Sequence, residues 1–186
     1  NKFDISGTFC LENKLKNFDF NQLKGVEEIS LNKYSSMKIV EKELLHEILL
    51  NIFDNQMRQS ITYLTGFKYS IDYFKIYVNY HINEEDEIIQ KRDTHFDKPY
   101  SENMLKIFIP LDVDIKSGPL KVFSKSHKKM LSQNKIDFCK VDHLLVTGNG
   151  SQIYGVNANV CWHEETNPLK GKSCNVIMIQ MSPAKE

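Results

Sequence analysis

The chain has 186 residues, 41% of them hydrophobic and 11% aromatic, which suits one globular domain with its own core and is short for two. Lysine plus arginine total 24 and aspartate plus glutamate total 24, so no basic field calls for nucleic acid and no acidic tail calls for disorder. No apolar run reaches the roughly 18 residues of a membrane span, and Asn1-Lys2-Phe3-Asp4 begins no apolar signal stretch, so neither membrane nor secretion is expected.

In chain order, residues 36–64 come first. Ile39, Val40, Leu44, Leu45, Ile48, Leu49, Ile52 and Phe53 recur at helical spacing, giving one apolar stripe, and Gly66 ends it. The pattern predicts a helix packed on a sheet. Beyond Gly66 the residues become β-branched and aromatic. Tyr73 to Tyr80 reads as a strand, and further short strands are predicted at Leu105–Leu111, Leu120–Phe123, His143–Thr147, Gln152–Tyr154, Val160–His163 and Asn175–Met181. Many short strands after helices predict a mainly β fold, a sandwich or barrel buttressed by N-terminal helices. A single domain is expected over 1–186, with 1–66 as helical buttress and 67–186 as β core.

Four cysteines (Cys10, Cys139, Cys161, Cys174) are far apart and form no C-x-x-C pair, which predicts free thiols in a reducing cytoplasm. The chemistry-bearing pattern is elsewhere. His95-Phe96-Asp97 places an imidazole and a carboxylate at i and i+2, on one side of an extended segment, with Phe96 turned away. A third ligand must come from a distant strand. His163 ends an apolar run just before the polar loop Glu164-Glu165-Thr166-Asn167-Pro168, as expected for a strand end at a barrel mouth. Two imidazoles and one carboxylate hold non-haem Fe(II) on one face and leave the other face open.

Several segments in the same order support this pattern: Asn79-Tyr80 ahead of the H-x-D, then Ile107-Phe108-Ile109-Pro110-Leu111-Asp112, Gly118-Pro119-Leu120 through Ser124-Lys125-Ser126-His127, and Gly148-Asn149-Gly150-Ser151 through Cys161-Trp162-His163. Together they resemble the phytanoyl-CoA dioxygenase-like family of 2-oxoglutarate oxygenases over about residues 70–183. The resemblance implies a double-stranded β-helix (jelly roll) with Fe(II) at one open end, held by His95, Asp97 and His163. It also implies 2-oxoglutarate as chelating co-substrate, O2 as oxidant, and hydroxylation of a C–H bond in a small or carrier-linked metabolite with release of succinate and CO2. Three protein ligands suit this, since chelate and oxygen need the remaining positions.

One departure from the family matters. It usually supplies an arginine about ten residues after the distal histidine to hold the far carboxylate of 2-oxoglutarate. Here the region reads Lys170-Gly171-Lys172-Ser173-Cys174-Asn175, and the chain's only arginines are Arg58 and Arg92. Lys106 is the first candidate to replace it. It shares strand parity with Phe108 in an otherwise apolar strand, where an ammonium needs a charge partner, and Lys106-Ile107-Phe108-Ile109-Pro110 is similar to the lysine strand of JmjC-type oxygenases. Lys172 with Ser173 is the second candidate. Phe108 and Tyr80 are expected to line the co-substrate cavity, with hydrogen bonds from Asn79, Tyr80 and Asn175. The loops 84–92 and 99–104 are expected to form the substrate entrance, and the lysines at 121, 125, 128 and 129 form a local basic patch.

Among the other histidines, His127 is expected to shape a loop, His46 lies among helix surface charges, His81 fits the cavity mouth and His143 starts a strand. Trp162 reads as core packing. Two further readings remain beside the oxygenase: a cupin-like metalloenzyme without 2-oxoglutarate, which the missing arginine favours, and a non-catalytic β-sandwich binding module. Zinc also accepts two histidines and an aspartate. The prime substrate and the oligomeric state are not legible.

Overall fold

The computed structural model describes residues 6–12, 19–87, 94–97, 103–124 and 142–185. Two antiparallel sheets face each other. The larger has seven strands: β1 (Thr8–Glu12), β2 (Glu28–Asn32), β3 (Ser35–Lys38), β4 (Tyr69–Tyr80), β5 (Leu105–Pro110), β8 (Gln152–Val156) and β10 (Ser173–Pro183). Their spatial order is β1-β8-β5-β10-β4-β3-β2. The smaller sheet has three strands, β6 (Leu120–Phe123), β7 (His143–Leu145) and β9 (His163–Glu165), ordered β7-β6-β9. This is a jelly-roll core, as the family resemblance implies, and it agrees with the sandwich or barrel predicted from the run of short strands.

Alternation along the central strands separates two cores. On β10, Ile177, Ile179 and Met181 pack outward with Ile76 of β4 and Leu105, Ile107 and Ile109 of β5. Two helices, α1 (Lys42–Ile52) and α2 (Asn55–Thr65), cover that face through Ile48, Ile52, Phe53, Met57 and Ile61. The other parity of the same strands, Tyr77, Phe108, Val176 and Met178, points between the sheets and meets Leu120 and Val122 of β6. With both faces buried there, β10 is apolar from Val176 to Ile179 rather than alternating.

The single helix predicted over 36–64 is two helices preceded by strand β3. The break falls at Phe53-Asp54, where the Asp54 carboxylate accepts from the Met57 N–H and so starts a new helix. Gly66 does end the pair, in left-handed conformation at φ 82°. The first 66 residues are therefore more than a helical buttress, because β1, β2 and β3 extend the main sheet on both sides. Among the described residues no helix is long and apolar enough to cross a membrane.

Two glycines mark close approaches that set the site. Gly118 has φ 74°, and a Cβ there would meet Pro168 N at 2.5 Å and Thr166 O at 2.6 Å. The chain leaving β9 thus crosses directly over this turn, and Thr166 binds Pro119 O through both its N–H and its hydroxyl. Asn167 continues the clamp by bonding both N–H and C=O of Ile82, just past β4. Gly155 of β8 lies under the ring of Phe9, its cross-strand partner on β1.

Candidate metal centre

The H-x-D segment lies along the edge of the smaller sheet as a single antiparallel bridge rather than a full strand. His95 and His163 exchange both backbone hydrogen bonds, at 2.9 and 3.0 Å, and the Asp97 N–H donates to Ala158 O. Phe96 turns the other way and stacks on Trp162 with ring centroids 3.9 Å apart, beside buried Phe123. The aromatic contact and the backbone bonds fix the rotation of the segment, so that His95 and Asp97 share one side with His163.

There the three side chains converge. The Oδ1 atom of Asp97 is 3.5 Å from His163 Nε2 and 3.9 Å from His95 Nε2, and one donor atom from each residue falls within a cluster 4.8 Å across. His163 is buried on the face of β9 that pairs with inward-pointing Val122, whereas half of the His95 side chain is exposed, so the cluster opens to solvent on the His95 side. The His163 Nδ1 lies 3.0 Å from Cys161 O. A ring nitrogen that donates to a carbonyl leaves Nε2 with a free lone pair aimed at the cluster, the tautomer a metal ligand needs.

The second carboxylate oxygen of Asp97 is engaged differently. The Lys106 ammonium forms a close ion pair with Oδ2. Burial alone pushes the Asp97 carboxyl up. The His163 contact and the Lys106 ammonium outweigh it and hold the group well below the usual carboxylate range. One oxygen thus faces the two imidazoles while the other is neutralised from behind. The donor set fits a divalent ion bound by His95, Asp97 and His163 through one oxygen of Asp97, with small rotations of the imidazoles.

The structure divides the other residues singled out from the sequence. Lys106, Phe108 and Asn79 share the inner parity of the main sheet with the triad's surroundings. Tyr80, Ser173 and Asn175 have the opposite parity. The Tyr80 hydroxyl binds Glu28, and Ser173 and Asn175 line an outer cavity of about 640 Å³ together with Lys24, Lys38 and Lys172. Lys172 lies 3.7 Å from Asp114. The structure therefore does not bring Lys172, Ser173, Asn175 or Tyr80 to the triad. His81 caps the loop after β9 through Pro168 O, His46 and His143 are exposed, and Lys121 pairs with Glu164 at 3.3 Å on the outer side of β9. Arg92, Lys125, His127, Lys128, Lys129, Cys139 and most of both entrance loops lie outside the described residues.

Sequence reasoning missed one inner-face group, Lys75 of β4. It pairs across the sheet with Met178 and shares parity with Tyr77, whose ring centroid lies 5.2 Å from its ammonium. Burial pushes the Lys75 amine below the ordinary lysine value. Glu165 opposes that shift, Lys106 adds to it, and Asp97 opposes it. The signal that singled out Lys106, a lysine in an apolar strand, was present at Lys75 too.

Fold and site together define a class: a jelly roll with a two-histidine, one-carboxylate cluster at one open end. Neither a protein-family model nor a curated protein sequence matches the chain. Solved structures do match. The α-ketoglutarate-dependent non-haem epimerase SnoN of nogalamycin biosynthesis superposes with TM-score 0.70 at 10% identity, covering 98% of this chain and 78% of SnoN. HygX from Streptomyces hygroscopicus, crystallised with nickel, 2-oxoglutarate and hygromycin B, gives 0.64 at 9% identity over 98% of this chain and 85% of HygX. The carbocyclase SnoK, also of nogalamycin biosynthesis, gives 0.63 at 12% over 98% and 81%. At such identities the likeness is one of fold, and the chain has the jelly-roll fold of these enzymes.

Proposed function

We propose that the protein is an Fe(II)- and 2-oxoglutarate-dependent oxygenase that oxidises a C–H bond of a small molecule. The observation that carries this reading is the convergence of His95, Asp97 and His163 at the open end of a jelly roll, with His163 held in a ligating tautomer by Cys161 O. The solved structures of the same fold support the co-substrate: SnoN was crystallised with Fe3+ and α-ketoglutarate, HygX with nickel and 2-oxoglutarate. The resemblance of residues 70–183 to phytanoyl-CoA dioxygenase-like proteins agrees with them. Bound at this centre, iron with a 2-oxo acid and O2 supplies oxidation of an unactivated C–H bond, with succinate and CO2 as co-products.

The protein's part is to hold and shield that chemistry. The two histidines and Asp97 offer three ligands on one side, and Lys106 keeps the free Asp97 oxygen from turning toward a second coordination position. Phe108, Tyr77 and Met178 form an apolar surface on the same inner face as Lys106, which suits the methylene chain of a dicarboxylate. Hydroxylation is the outcome the resemblance favours. SnoN and SnoK are an epimerase and a carbocyclase, so the same fold serves other outcomes, and the substrate over the site decides between them.

Anaerobic protein mixed with Fe(II) and 2-oxoglutarate is expected to develop the weak visible charge-transfer band of the chelate. Bound iron without that band would leave the second reading, a metalloenzyme that does not use 2-oxoglutarate, which the lack of arginine in residues 170–175 favours. Succinate release under air would then establish turnover.

A further inference from the structure

Both cations named from the sequence for the far carboxylate of the co-substrate are engaged in the structure. Lys172 faces the outer side near Asp114. Lys106 is on the inner side, but its ammonium is taken by Oδ2 of Asp97. That contact has a sufficient function of its own, because it fixes the metal-ligand carboxylate with one oxygen forward.

Lys75 is in a different state. It lies on the same inner face as Lys106, across β10 from it: Lys106 pairs with Gln180 and Lys75 with Met178, so the two lysines flank one strand two residues apart. Its side chain is half-buried, and among the described residues no carboxylate forms an ion pair with it. A desolvated ammonium with no carboxylate in contact is costly unless something anionic arrives. The charges that act on it are Glu165, on the β9 position that pairs with inward-facing Leu120, and then Lys106 and Asp97. With Lys75 itself, those groups carry two positive and two negative charges. A divalent ion on the triad adds two positive charges, which favours an anionic group beside Lys75.

We infer that Lys75 is the cation that fastens the far carboxylate of the 2-oxo dicarboxylate, and that Lys106 is a positioning residue that holds Asp97. This rests on the co-substrate reading above and assigns the residue that replaces the absent arginine. The assignment also gives the site a length filter. A 2-oxo acid whose head chelates the metal would extend along the inner face past Lys106 to reach Lys75, level with Phe108. A 2-oxo monocarboxylate of similar length satisfies the metal but leaves the ammonium uncompensated.

The test uses Mn(II)-loaded protein, which binds without turning over, and calorimetric titration with 2-oxoglutarate and with 2-oxobutyrate. The wild type is expected to prefer 2-oxoglutarate by about 100-fold, the size of a charged hydrogen bond in a shielded site. Lys75→Gln and Lys75→Met should lose most of that ratio while Mn(II) affinity stays unchanged, and Lys75→Arg should recover part of it. Lys106→Gln should weaken Mn(II) binding by about tenfold or more and keep the ratio. Retention of the ratio in both Lys75→Gln and Lys75→Met, or its loss in Lys106→Gln, overturns the inference while the co-substrate reading stands. A Mn(II)-loaded wild type that binds no 2-oxoglutarate overturns both.

Discussion

The two faces of β10 make the instructive comparison. Inward, Cys174, Val176 and Met178 pack between the sheets, with Lys75 and Lys106 on the same face; outward, Ser173 and Asn175 open on a polar cavity with Lys24, Lys38 and Lys172, and Ile177 and Ile179 lie under the helices. Both sides offer lysines and hydrogen-bonding groups. Among the described residues, only the inner side has ligands converging on one point. Chemistry therefore follows strand parity rather than residue type: a shift of one position along β10 moves a side chain from the site to the opposite surface.

The sharpest way to break the comparison is at the ligands. Asp97→Ala or His163→Ala should weaken Mn(II) or Fe(II) binding by more than about 100-fold, beyond the range seen when only an outer partner of a ligand is lost. Lys172→Ala and Ser173→Ala, on the outer side, should leave metal and 2-oxoglutarate titrations unchanged. A loss of 2-oxoglutarate affinity in Lys172→Ala would mean that the outer cavity, not the inner face, holds the co-substrate.

Next in size are substitutions that read the two sides through stability. Ile177→Ala removes a fully buried side chain from the helix-covered core and is expected to cost about 2–5 kcal/mol in urea unfolding. Gly118→Ala combines positive φ with backbone atoms of Thr166 and Pro168 inside van der Waals distance, and should cost roughly 2–4 kcal/mol. Because the same crossing anchors the chain after His163, Gly118→Ala should also weaken metal binding, whereas Ile177→Ala should not until the protein unfolds. Equal effects of the two on metal affinity would show that the crossing does not position β9.

How far the sequence could be read follows from the same parity. His95, Asp97 and His163 were legible because their ligand types are rare together and an i, i+2 step needs no knowledge of the partner strand. Phe96 was legible as the residue turned away, and Lys106 as the inward lysine, because Leu105, Ile107 and Ile109 mark the other parity of β5. Ser173 and Asn175 were not, since β10 is apolar on both parities and nothing local says which one faces the ligands. Tyr80 fails for a related reason: its strand carries aromatics on both faces, and it takes the pairing of β2 with β3 and of β3 with β4 to bring Glu28 and Ser36 to its hydroxyl. Lys75 was missed although Lys106 was found by the same argument, because its neighbours Phe74 and Ile76 were read as strand formers and not as markers of a parity. The break between α1 and α2 turned on a single side chain, the Asp54 cap, within an apolar stripe that runs on past it.

The smallest expected effect separates Lys75 from ordinary strand polarity. Its folded pKa is lowered, chiefly by burial. At neutral pH both folded and unfolded chains carry the charge, so the fold bears the full cost of desolvating it. As pH rises through the folded value toward the ordinary lysine value of about 10.4, the folded chain releases its proton first. The unfolded chain then binds more protons, and stability rises with pH over that window. Lys75→Met removes the buried charge, so it should raise the melting temperature of the metal-free protein at pH 7 by roughly 2–4 °C. The gain should shrink toward pH 10, where the wild type has already begun to shed the charge. An equal gain at both pH values would trace the effect to packing instead. The same variant is expected to lose discrimination between 2-oxoglutarate and 2-oxobutyrate, so a gain in stability paired with a loss of recognition would mark Lys75 as a charge kept for its ligand.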